Sequence, residues 1–273
     1  MRKADLFDEI IFCLREMSER EPTTVIDPDL LNAFMSASPV PKEQIPLYEP
    51  EPVKPAPAPA AKPLRTAPRP APASAESVTA GSLEELQSSL QNCEKCGLRN
   101  GRTNLVFGAG NPDADLMFIG EGPGESEDLQ GLPFVGRAGE LLTRMIAAMG
   151  FDRNQDVYIA NIVKCRPPGN RNPEEAEAMA CLPYLERQIE LIRPKVIVLL
   201  GAVPLLYLLN MRGITKLHGQ WFEYKGIKTL PTFHPAFLLR NANMKADAWK
   251  DLQVVMREFG HTPVRGGGVR KDG

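Results

Sequence analysis

Four short apolar runs constrain the fold of this chain more than any other feature of its sequence. They are rich in aliphatic residues, bounded by turn residues, and cover Leu116–Gly120, Val157–Val163, Val196–Gly201 and Thr229–Phe233. Runs of this length and composition are typical of buried strands. Helical patterns separate them, and strands that alternate with helices pair in parallel between two helical layers. We therefore predict a three-layer α/β/α domain around a central four-stranded, mostly parallel sheet.

The helical patterns come from apolar residues spaced three or four positions apart. Before the first strand, Ser82 and Glu85 fit a capping box at the start of a short helix. Further along, Asn172 is predicted as an N-cap and Pro173 as the first residue of a long helix. The four helices predicted after the first strand are Gly139–Met149, Pro173–Ile192, Val203–Leu209 and Ala246–Phe259.

Composition divides the chain into four parts. Residues 1–37 contain one amphipathic helical pattern, interpreted as an accessory helix, with a protein partner for it as a further hypothesis. Residues 38–80 are rich in Pro and Ala and hold almost half of the 26 prolines. Such a segment buries too little apolar surface to fold, which predicts a disordered linker. Residues 81–262 are predicted to form the folded domain, and residues 263–273 a disordered tail.

Charge and hydropathy limit the functional classes. The formal net charge is −2 at pH 7, so any surface that binds nucleic acid has to be local. No apolar stretch reaches the roughly 18 residues of a membrane span, and the chain starts without a cleavable signal pattern. These features predict a cytoplasmic monomer with no membrane partner. In a reducing compartment, the five cysteines are expected to bind metal, catalyse or pack rather than form disulfides.

Four of the cysteines have the spacing of a metal site. Cys93 and Cys96 form a C-x2-C pair, whereas Cys165 follows a predicted strand and Cys181 lies in a predicted helix. A C-x2-C pair suits zinc and iron–sulfur clusters equally, but the second pair is too widely spaced for a common zinc ribbon. Spacing favours an iron–sulfur cluster and leaves zinc or free buried cysteines as alternatives. Cys13 lies outside the set and is interpreted as a packing residue.

The first strand runs into a glycine-rich acidic loop, Gly120–Asp128. The loop lacks the G-K-[ST] ending of a Walker loop and the G-x-G-x-x-G pattern of a dinucleotide site, and its acids would repel a pyrophosphate. A carboxylate metal site and a solvated acidic loop are alternatives, but a pocket for a neutral, hydrogen-bonding ligand such as a base is favoured. Phe134 follows between glycines. A stacking platform for a planar ligand explains this aromatic residue better than a plug of the core does.

The ends of two further strands carry polar residues. Asn161 lies on an otherwise apolar strand, and its amide donor and acceptor match the edge of a pyrimidine base. A structural amide bonded to backbone is the alternative. Lys164, Arg166 and Arg171 form a local basic patch beside it that suits phosphates, with scattered surface charge as the default alternative. His234 follows the last strand, and the apolar residues of Phe237–Arg240 suit a wedge that enters DNA. The alternative for this segment is a helix whose apolar face belongs to the core.

Together and in this order, the motifs resemble the iron–sulfur uracil-DNA glycosylases, usually called family 4. The resemblance covers about residues 83–260. It implies a DNA-repair enzyme that flips deoxyuridine out of single- or double-stranded DNA, hydrolyses its N-glycosidic bond and leaves an abasic site. It also implies a structural [4Fe–4S] cluster on Cys93, Cys96, Cys165 and Cys181. The matching segments are C-x2-C at 93–96, GEGPGESED to GRAGELL at 120–142, NIVKCRPPGNRNP at 161–173, Cys181 and HPAFLLR at 234–240.

The resemblance further implies a role for each residue of the pocket. Glu121 and Gly122 would line the uracil site, with Glu121 counted among the catalytic residues. Phe134 would stack on the flipped base, and Asn161 would bond the pyrimidine edge. His234 would stabilise negative charge on uracil O2 while the glycosidic bond breaks.

Four residues outside these roles are implied as contacts to the base or to DNA. Glu127 resembles the acidic residue near the C5 face of the base, where it would exclude the thymine methyl or position water. Leu238 would intercalate, and Arg166 and Arg240 would contact DNA.

Departures from the wider superfamily shape the mechanism that we expect. Gly122 stands where the best-known family carries a water-activating Asp, so catalysis is expected to rest mainly on stabilisation of the leaving group. The segment 167–173 lacks the inserted basic loop of the DNA-crosslinking relatives, so stable crosslinking is not expected. Two other classes are kept as alternatives. One is a non-catalytic nucleic-acid-binding module, tethered through residues 1–37, and the other is a zinc-stabilised hydrolase.

Overall fold

A six-stranded sheet forms the centre of the computed structural model, which describes residues 78–264 and 268–271. The strands are short, and three of the inner ones are buried at every position. In chain order they are β1 Ala109–Gly110, β2 Leu116–Gly120, β3 Val157–Asn161, β4 Val196–Leu200, β5 Phe222–Tyr224 and β6 Ile227–Thr232. Their order across the sheet is β1–β3–β2–β4–β6–β5.

The four inner strands pair in parallel, as the alternation of strands and helices predicts. Their carboxyl ends meet at one edge, with Gly120 opposite Asn161 and Leu200 opposite Thr232. β1 and β5 are antiparallel at the two margins, so the sheet has six strands rather than the predicted four. Both are too short to give a period-two pattern, and β5 continues into β6 through a tight turn at residues 225–226, which have positive φ.

Helices cover both faces of the sheet and complete the predicted three layers. Alternate residues of a strand point to opposite faces, and the buried clusters follow this rule. Met117 and Ile119 pack against the helices that follow β3 and β4. Leu116 and Phe118 pack on the other face, against the helix before β3 and the long helix after β6. The helices are α1 Leu83–Leu90, α2 Glu125–Gln130, α3 Arg137–Ala148, α4 Glu175–Ile192, α5 Ala202–Leu209, α6 Ile214–Leu217, α7 Pro235–Arg240 and α8 Lys245–Glu258.

The structure corrects one predicted helix start, that of α4, and one predicted capping box, that of α1. The N-cap of α4 is Glu174 rather than Asn172, because the Glu177 carboxylate accepts a hydrogen bond from the Glu174 amide at 2.8 Å. At α1, Ser82 is the N-cap and its Oγ accepts from the Glu85 amide at 3.2 Å. The Glu85 carboxylate turns back to the Gly81 amide at 2.7 Å rather than to Ser82, so the predicted capping box is formed only in part.

The two ends of the chain lie partly outside the described residues. The predicted N-terminal helix and all but the last residues of the predicted linker lie outside the described residues. A short antiparallel hairpin, β7 His261–Val264 with β8 Gly268–Lys271, begins in the predicted folded domain and extends into the predicted disordered tail. Strand pairing of backbone groups needs no apolar run, which is why the sequence did not predict it. None of the helices in the described part of the chain is long and apolar enough to cross a membrane.

Candidate active site and four-cysteine site

A cleft of about 390 Å³ opens at the carboxyl edge of the parallel strands, where ligands bind in folds of this type. Its walls come from the loops after β2, β3 and β6 and from the start of α7. The cleft brings together all six of the predicted base-site residues, namely Glu121, Gly122, Glu127, Phe134, Asn161 and His234. Arg240 also lines it, as does the loop that ends in residues 170–172.

Asn161 ends β3 and is only 1% exposed. Its Oδ1 atom is buried without a hydrogen-bond partner anywhere in the described part of the chain. A buried amide oxygen without a partner is unfavourable by about 1–3 kcal/mol, so such an atom needs an explanation. Because Asn161 faces the cleft, a donor on a bound ligand would satisfy this oxygen.

Gly120 is a residue of the site that sequence reasoning missed. It lies beside Asn161 in the sheet, and a Cβ atom there would lie 2.5 Å from Asn161 Oδ1 and 2.5 Å from the Phe134 ring. Both distances are far below van der Waals contact, so only glycine lets the amide and the ring approach each other. The first glycine of the motif is therefore needed for packing. This need becomes visible only in the sheet, where Gly120 pairs with Asn161.

Phe134 presents its ring to the cleft from a strained loop. Its backbone has φ 51°, a left-handed conformation that is uncommon for a bulky residue. Glu127 holds the loop, since its carboxylate accepts from the amides of Gly124 (3.1 Å), Val135 (2.8 Å) and Gly136 (2.9 Å). The ring centroids of Phe134 and His234 are 5.6 Å apart. The predicted stacking aromatic is therefore held in place before any ligand binds.

A second side chain fixes the same loop from the other direction. Arg153 donates to the Pro133 carbonyl at 2.7 Å and to Thr143 Oγ1 at 3.0 Å. Sequence analysis did not select Arg153, because it lies in a turn with no motif around it. Its role is visible only once the chain is folded.

His234 is a partly buried, neutral imidazole. It is the N-cap of α7, and its Nδ1 accepts from the Ala236 amide at 3.1 Å, so the ring proton resides on Nε2. Burial, together with the nearby positive charge of Arg240, lowers the pKa of His234 to about 4. Gly201 packs against it with φ 98°, and a Cβ there would lie 3.0 Å from His234 Cβ. The site therefore offers one fixed N–H donor at neutral pH.

Glu121 follows Gly120 and is half-buried in the cleft. Burial raises the pKa of its carboxyl above the ordinary value. Glu121 thus differs from Glu127, whose carboxylate is already occupied by backbone amides.

Two predictions about DNA contacts are revised by burial. Leu238 is 1% exposed and packs with Phe233 and Ala248, so the prediction that it intercalates is wrong. It faces the core because α7 is a helix, and the next residue, Leu239, is 37% exposed instead. Lys164 is also buried, at 1%, so the predicted basic patch loses this member.

The arginines of that patch remain near the surface. The guanidinium of Arg166 donates to Asn170 Oδ1 at 2.8 Å and lies 3.5 Å from the Glu125 carboxylate. Arg171 forms a bidentate ion pair with Glu177, at 2.8 and 2.7 Å. These bonds fix the loop that forms one wall of the cleft.

The four predicted cysteine ligands line a second, smaller cleft. Cys93, Cys96, Cys165 and Cys181 all border it, together with Arg102 and Lys164. Burial raises the pKa of Cys96, of Cys165 and of Cys181, the last to about 12. Mutual repulsion between the sulfurs adds to these shifts. Thiols in such a place become thiolates only when positive charge, such as a metal, is bound.

Two cationic side chains line the same cleft, and one of them contacts a sulfur. Arg102 donates to Cys165 Sγ at 3.3 Å and to the Gln91 carbonyl at 3.2 Å. Lys164 Nζ donates to the Asn161 carbonyl at 2.9 Å and to Gln188 Oε1 at 2.5 Å. Within residues 78–264 and 268–271, no three cysteine, histidine or acidic side chains are spaced as for a metal ion. The sulfurs surround a cleft instead of meeting at a point.

An amide with an unpartnered oxygen, a planar ring and a neutral imidazole define an enzyme site for a flat, uncharged heterocycle. A family model described as the Uracil DNA glycosylase superfamily matches residues 107–253. The chain therefore belongs to the uracil-DNA glycosylase superfamily, as the sequence motifs predicted.

Curated relatives point to one branch of this superfamily. A type-4 uracil-DNA glycosylase of Sulfurisphaera tokodaii is 47% identical over 194 residues, which span 67% of this chain and 87% of the relative. One from Saccharolobus solfataricus is 45% identical over 193 residues, 67% of this chain and 89% of the relative. One from Thermotoga maritima is 49% identical over 162 residues, 58% of this chain and 84% of the relative. The matches confirm the predicted resemblance to family 4.

Proposed function

We propose that this chain excises uracil from DNA in base excision repair. It extrudes deoxyuridine, hydrolyses the N-glycosidic bond, releases uracil and leaves an abasic site. The observation that carries the proposal is the buried, unpartnered Oδ1 of Asn161 in a cleft that also contains Phe134 and His234. Family membership and the names of the type-4 relatives support the same activity.

Asn161 reads the edge of the base. Uracil presents an N3–H donor next to the O4 acceptor, which matches the Oδ1 acceptor and the Nδ2 donors of the amide. Cytosine presents an acceptor and a donor in the reverse order, so both bonds would be lost. A site that is built around hydrogen bonds rejects such an analogue strongly, because its buried groups are then left unpaired. Phe134 stacks on the face of the same ring.

Glu127 contributes to selectivity through the shape of the pocket. Its carboxylate is occupied by three backbone amides, so it is poorly placed to activate water. By holding the Phe134 loop, it fixes the wall against which the C5 side of the base packs. The methyl group of thymine then meets a wall that cannot yield without breaking those bonds.

His234 stabilises the leaving group. When the C1′–N1 bond breaks, its electron pair leaves with uracil, and negative charge develops on O2. The Nε2–H of the neutral imidazole donates to that oxygen, and a fixed donor in a buried site lowers the barrier without reorganisation. Water adds to C1′, and Glu121, made more basic by burial, accepts the proton.

A [4Fe–4S] cluster on Cys93, Cys96, Cys165 and Cys181 is the proposed cofactor. The four sulfurs surround one cleft, and the second pair is too widely spaced for a zinc ribbon. The cluster would supply structural cross-links between α1, the end of β3 and α4, and it takes no part in bond cleavage. Arg102 and Lys164 would balance part of its negative charge.

The exposed side of α7 is the proposed contact to DNA. Leu239 is the apolar side chain of this helix that reaches solvent, and Arg240 follows it at the rim of the cleft. An apolar side chain at this place can fill the gap left by an extruded base. Arg166 bonds Asn170 in the loop that lines the cleft and would contact a phosphate. Leu239→Ala should slow excision from duplex DNA a few-fold without loss of stability, whereas Leu238→Ala should destabilise the fold by about 2–5 kcal/mol.

The direct test uses an oligonucleotide with a single deoxyuridine, incubated with anaerobically purified full-length protein and then cleaved with alkali. We expect cleavage at uracil only, with no product from a matched thymine or cytosine substrate. Asn161→Ala should lose activity because the base edge is no longer read. The control is Lys195→Gln, which removes an exposed ion pair far from the cleft and should leave the rate unchanged.

The same assay decides between this function and the alternative of a non-catalytic binding module. Protein that binds the oligonucleotide but leaves it intact would favour the binding module. Purified protein that carries zinc and no iron would overturn the cluster, whatever the activity.

A further inference from the structure

One three-residue segment connects the four-cysteine site to α2, the helix that carries Glu127 of the uracil cleft. At its first residue, Arg102 donates to Cys165 Sγ and to the Gln91 carbonyl next to the C-x2-C pair. Two residues further on, the segment has reached another element, α2. We call Arg102–Asn104 the strut.

The far end of the strut is fixed by Asp128 in α2. This carboxylate is 2% exposed and accepts from the Thr103 amide at 2.9 and 3.0 Å and from the Asn104 amide at 3.3 Å. The Asn104 side chain returns two bonds, to the carbonyls of Asp128 (2.9 Å) and Leu129 (3.1 Å). A buried carboxylate that is held entirely by neutral donors is a strong and geometrically fixed anchor.

The residue next to Asp128 is Glu127, which holds the Phe134 loop. Any movement of α2 therefore moves the carboxylate that bonds the amides of Val135 and Gly136. The path from sulfur to stacking ring is continuous, and every step in it is a hydrogen bond or the covalent bond between two neighbouring residues.

We propose that the strut couples the four-cysteine site to the uracil cleft, with Asp128 as the positioning residue. When the cysteines hold their cluster, Arg102 is fixed, and α2 and the Phe134 loop are fixed with it. The inference rests on the proposed cluster for its cysteine end, whereas its cleft end stands on the hydrogen bonds of Asp128. Coupling through packed hydrogen-bonded elements is reciprocal, so a change at either end must be felt at the other.

The test places a substitution at one end and measures at the other, in full-length protein that carries its iron. Asp128→Ala is compared with wild type for the rate at which cluster absorbance is lost in excess chelator. Arg102→Gln is compared for hydrogen exchange of the amides of Val135 and Gly136. Lys195→Gln serves as the control in both, and exchange in β4 reports whether the whole domain has loosened.

We expect Asp128→Ala to lose its cluster faster, and Arg102→Gln to exchange its loop amides faster, each on the order of fivefold. Exchange in β4 should not change. Asp128→Asn keeps one acceptor for the strut amides, so its effect should be smaller; this variant also decides the question if Asp128→Ala does not fold. Variants that change only their own end would overturn the coupling.

The double variant adds a second criterion. Coupled residues give non-additive effects, so Arg102→Gln should add little to the cluster loss of Asp128→Ala, whereas independent residues would give the product of the two rates. Absence of iron from wild-type protein would overturn the proposed cluster. The link from Arg102 to the Phe134 loop would then be tested only by hydrogen exchange of the Val135 and Gly136 amides in Arg102→Gln.

Discussion

Residues at or just after the end of β3 line both the uracil cleft and the four-cysteine site, yet the two sites are built in opposite ways. In the cleft, the protein itself holds each group that meets the base. Glu127 fixes the Phe134 loop, the Ala236 amide fixes the tautomer of His234, and Gly120 permits close contact. At the cysteines, burial and mutual repulsion raise the pKa of the thiols, so the protein alone disfavours their metal-binding form.

Because the two sites are built differently, substitutions in them should cause different losses: of catalysis in the cleft and of stability at the cysteines. A preorganised cleft fails chemically, because the fold does not depend on the ligand. A ligand-dependent site fails structurally, because the ligand provides part of the folding free energy.

The largest effect is expected at the cysteines. Cys165→Ala should abolish iron binding and lower the free energy of unfolding by roughly 4 kcal/mol, the stabilisation given by a ligand at a thousand times its Kd. Iron analysis and thermal unfolding would measure this. Cys13→Ala, outside the set, should retain full iron content. A stable Cys165→Ala protein with wild-type absorbance would break the comparison.

The next effect is chemical. His234→Ala should lower kcat by about 10²–10³, the range for loss of one oxyanion-type donor. His234→Asn keeps a side-chain oxygen that can cap α7 but lacks the Nε2–H, so it should be equally slow and nearly as stable as wild type. Single-turnover rates and unfolding curves would be measured together. Recovery of activity in His234→Asn would show that His234 acts by capping the helix.

A smaller effect is expected from crowding. Gly120→Ala places a methyl group against Asn161 and Phe134 and should destabilise the protein by about 1–3 kcal/mol, with a loss of uracil excision but not of iron. Gly101→Ala is the matched control, since a Cβ there meets nothing within 4 Å. Equal activity of the two variants would mean that the cleft is more adaptable than its contacts imply.

The smallest effect is expected from pH. The pKa of His234 lies near 4. Titration of this residue should therefore change kcat little between about pH 5 and 8, and kcat should fall at lower pH as His234 becomes protonated. The unfolded chain binds this proton at the ordinary value of 6.5, well before the folded protein does. The His234 contribution to stability is therefore fully present above pH 6.5 and is lost as pH falls towards 4. A rate that rises as pH falls from 7 to 5 would contradict a neutral imidazole.

Much of this architecture could be predicted from the sequence. Buried strands with helices between them fix the parallel order, and parallel order gathers the strand ends at one edge. The predicted base-site residues therefore meet in one cleft, although they are far apart in sequence. The edge strands and the C-terminal hairpin were not predicted, because they depend on backbone pairing rather than on apolar periodicity.

Other features depend on contacts that no local pattern encodes. Whether Leu238 or Leu239 faces solvent depends on the rotation of α7 by a single residue, and Lys164 is buried because α4 supplies Gln188 as its partner. Asp128 and Arg153 bond backbone groups distant in sequence, and Arg102 bonds the sulfur of the distant Cys165. Their charge alone made them look like ordinary surface residues.

Pairing between two strands also determines the chemistry of the cleft. Gly120 and Asn161 are opposite each other at the last position of β2 and β3. Because side chains alternate between the two faces of a strand, a slip of one residue would turn Asn161 towards a helical layer and bring its apolar neighbour to the pocket. The alignment of two hydrogen-bond ladders thus decides whether the enzyme recognises a base at all, even with every amino acid unchanged.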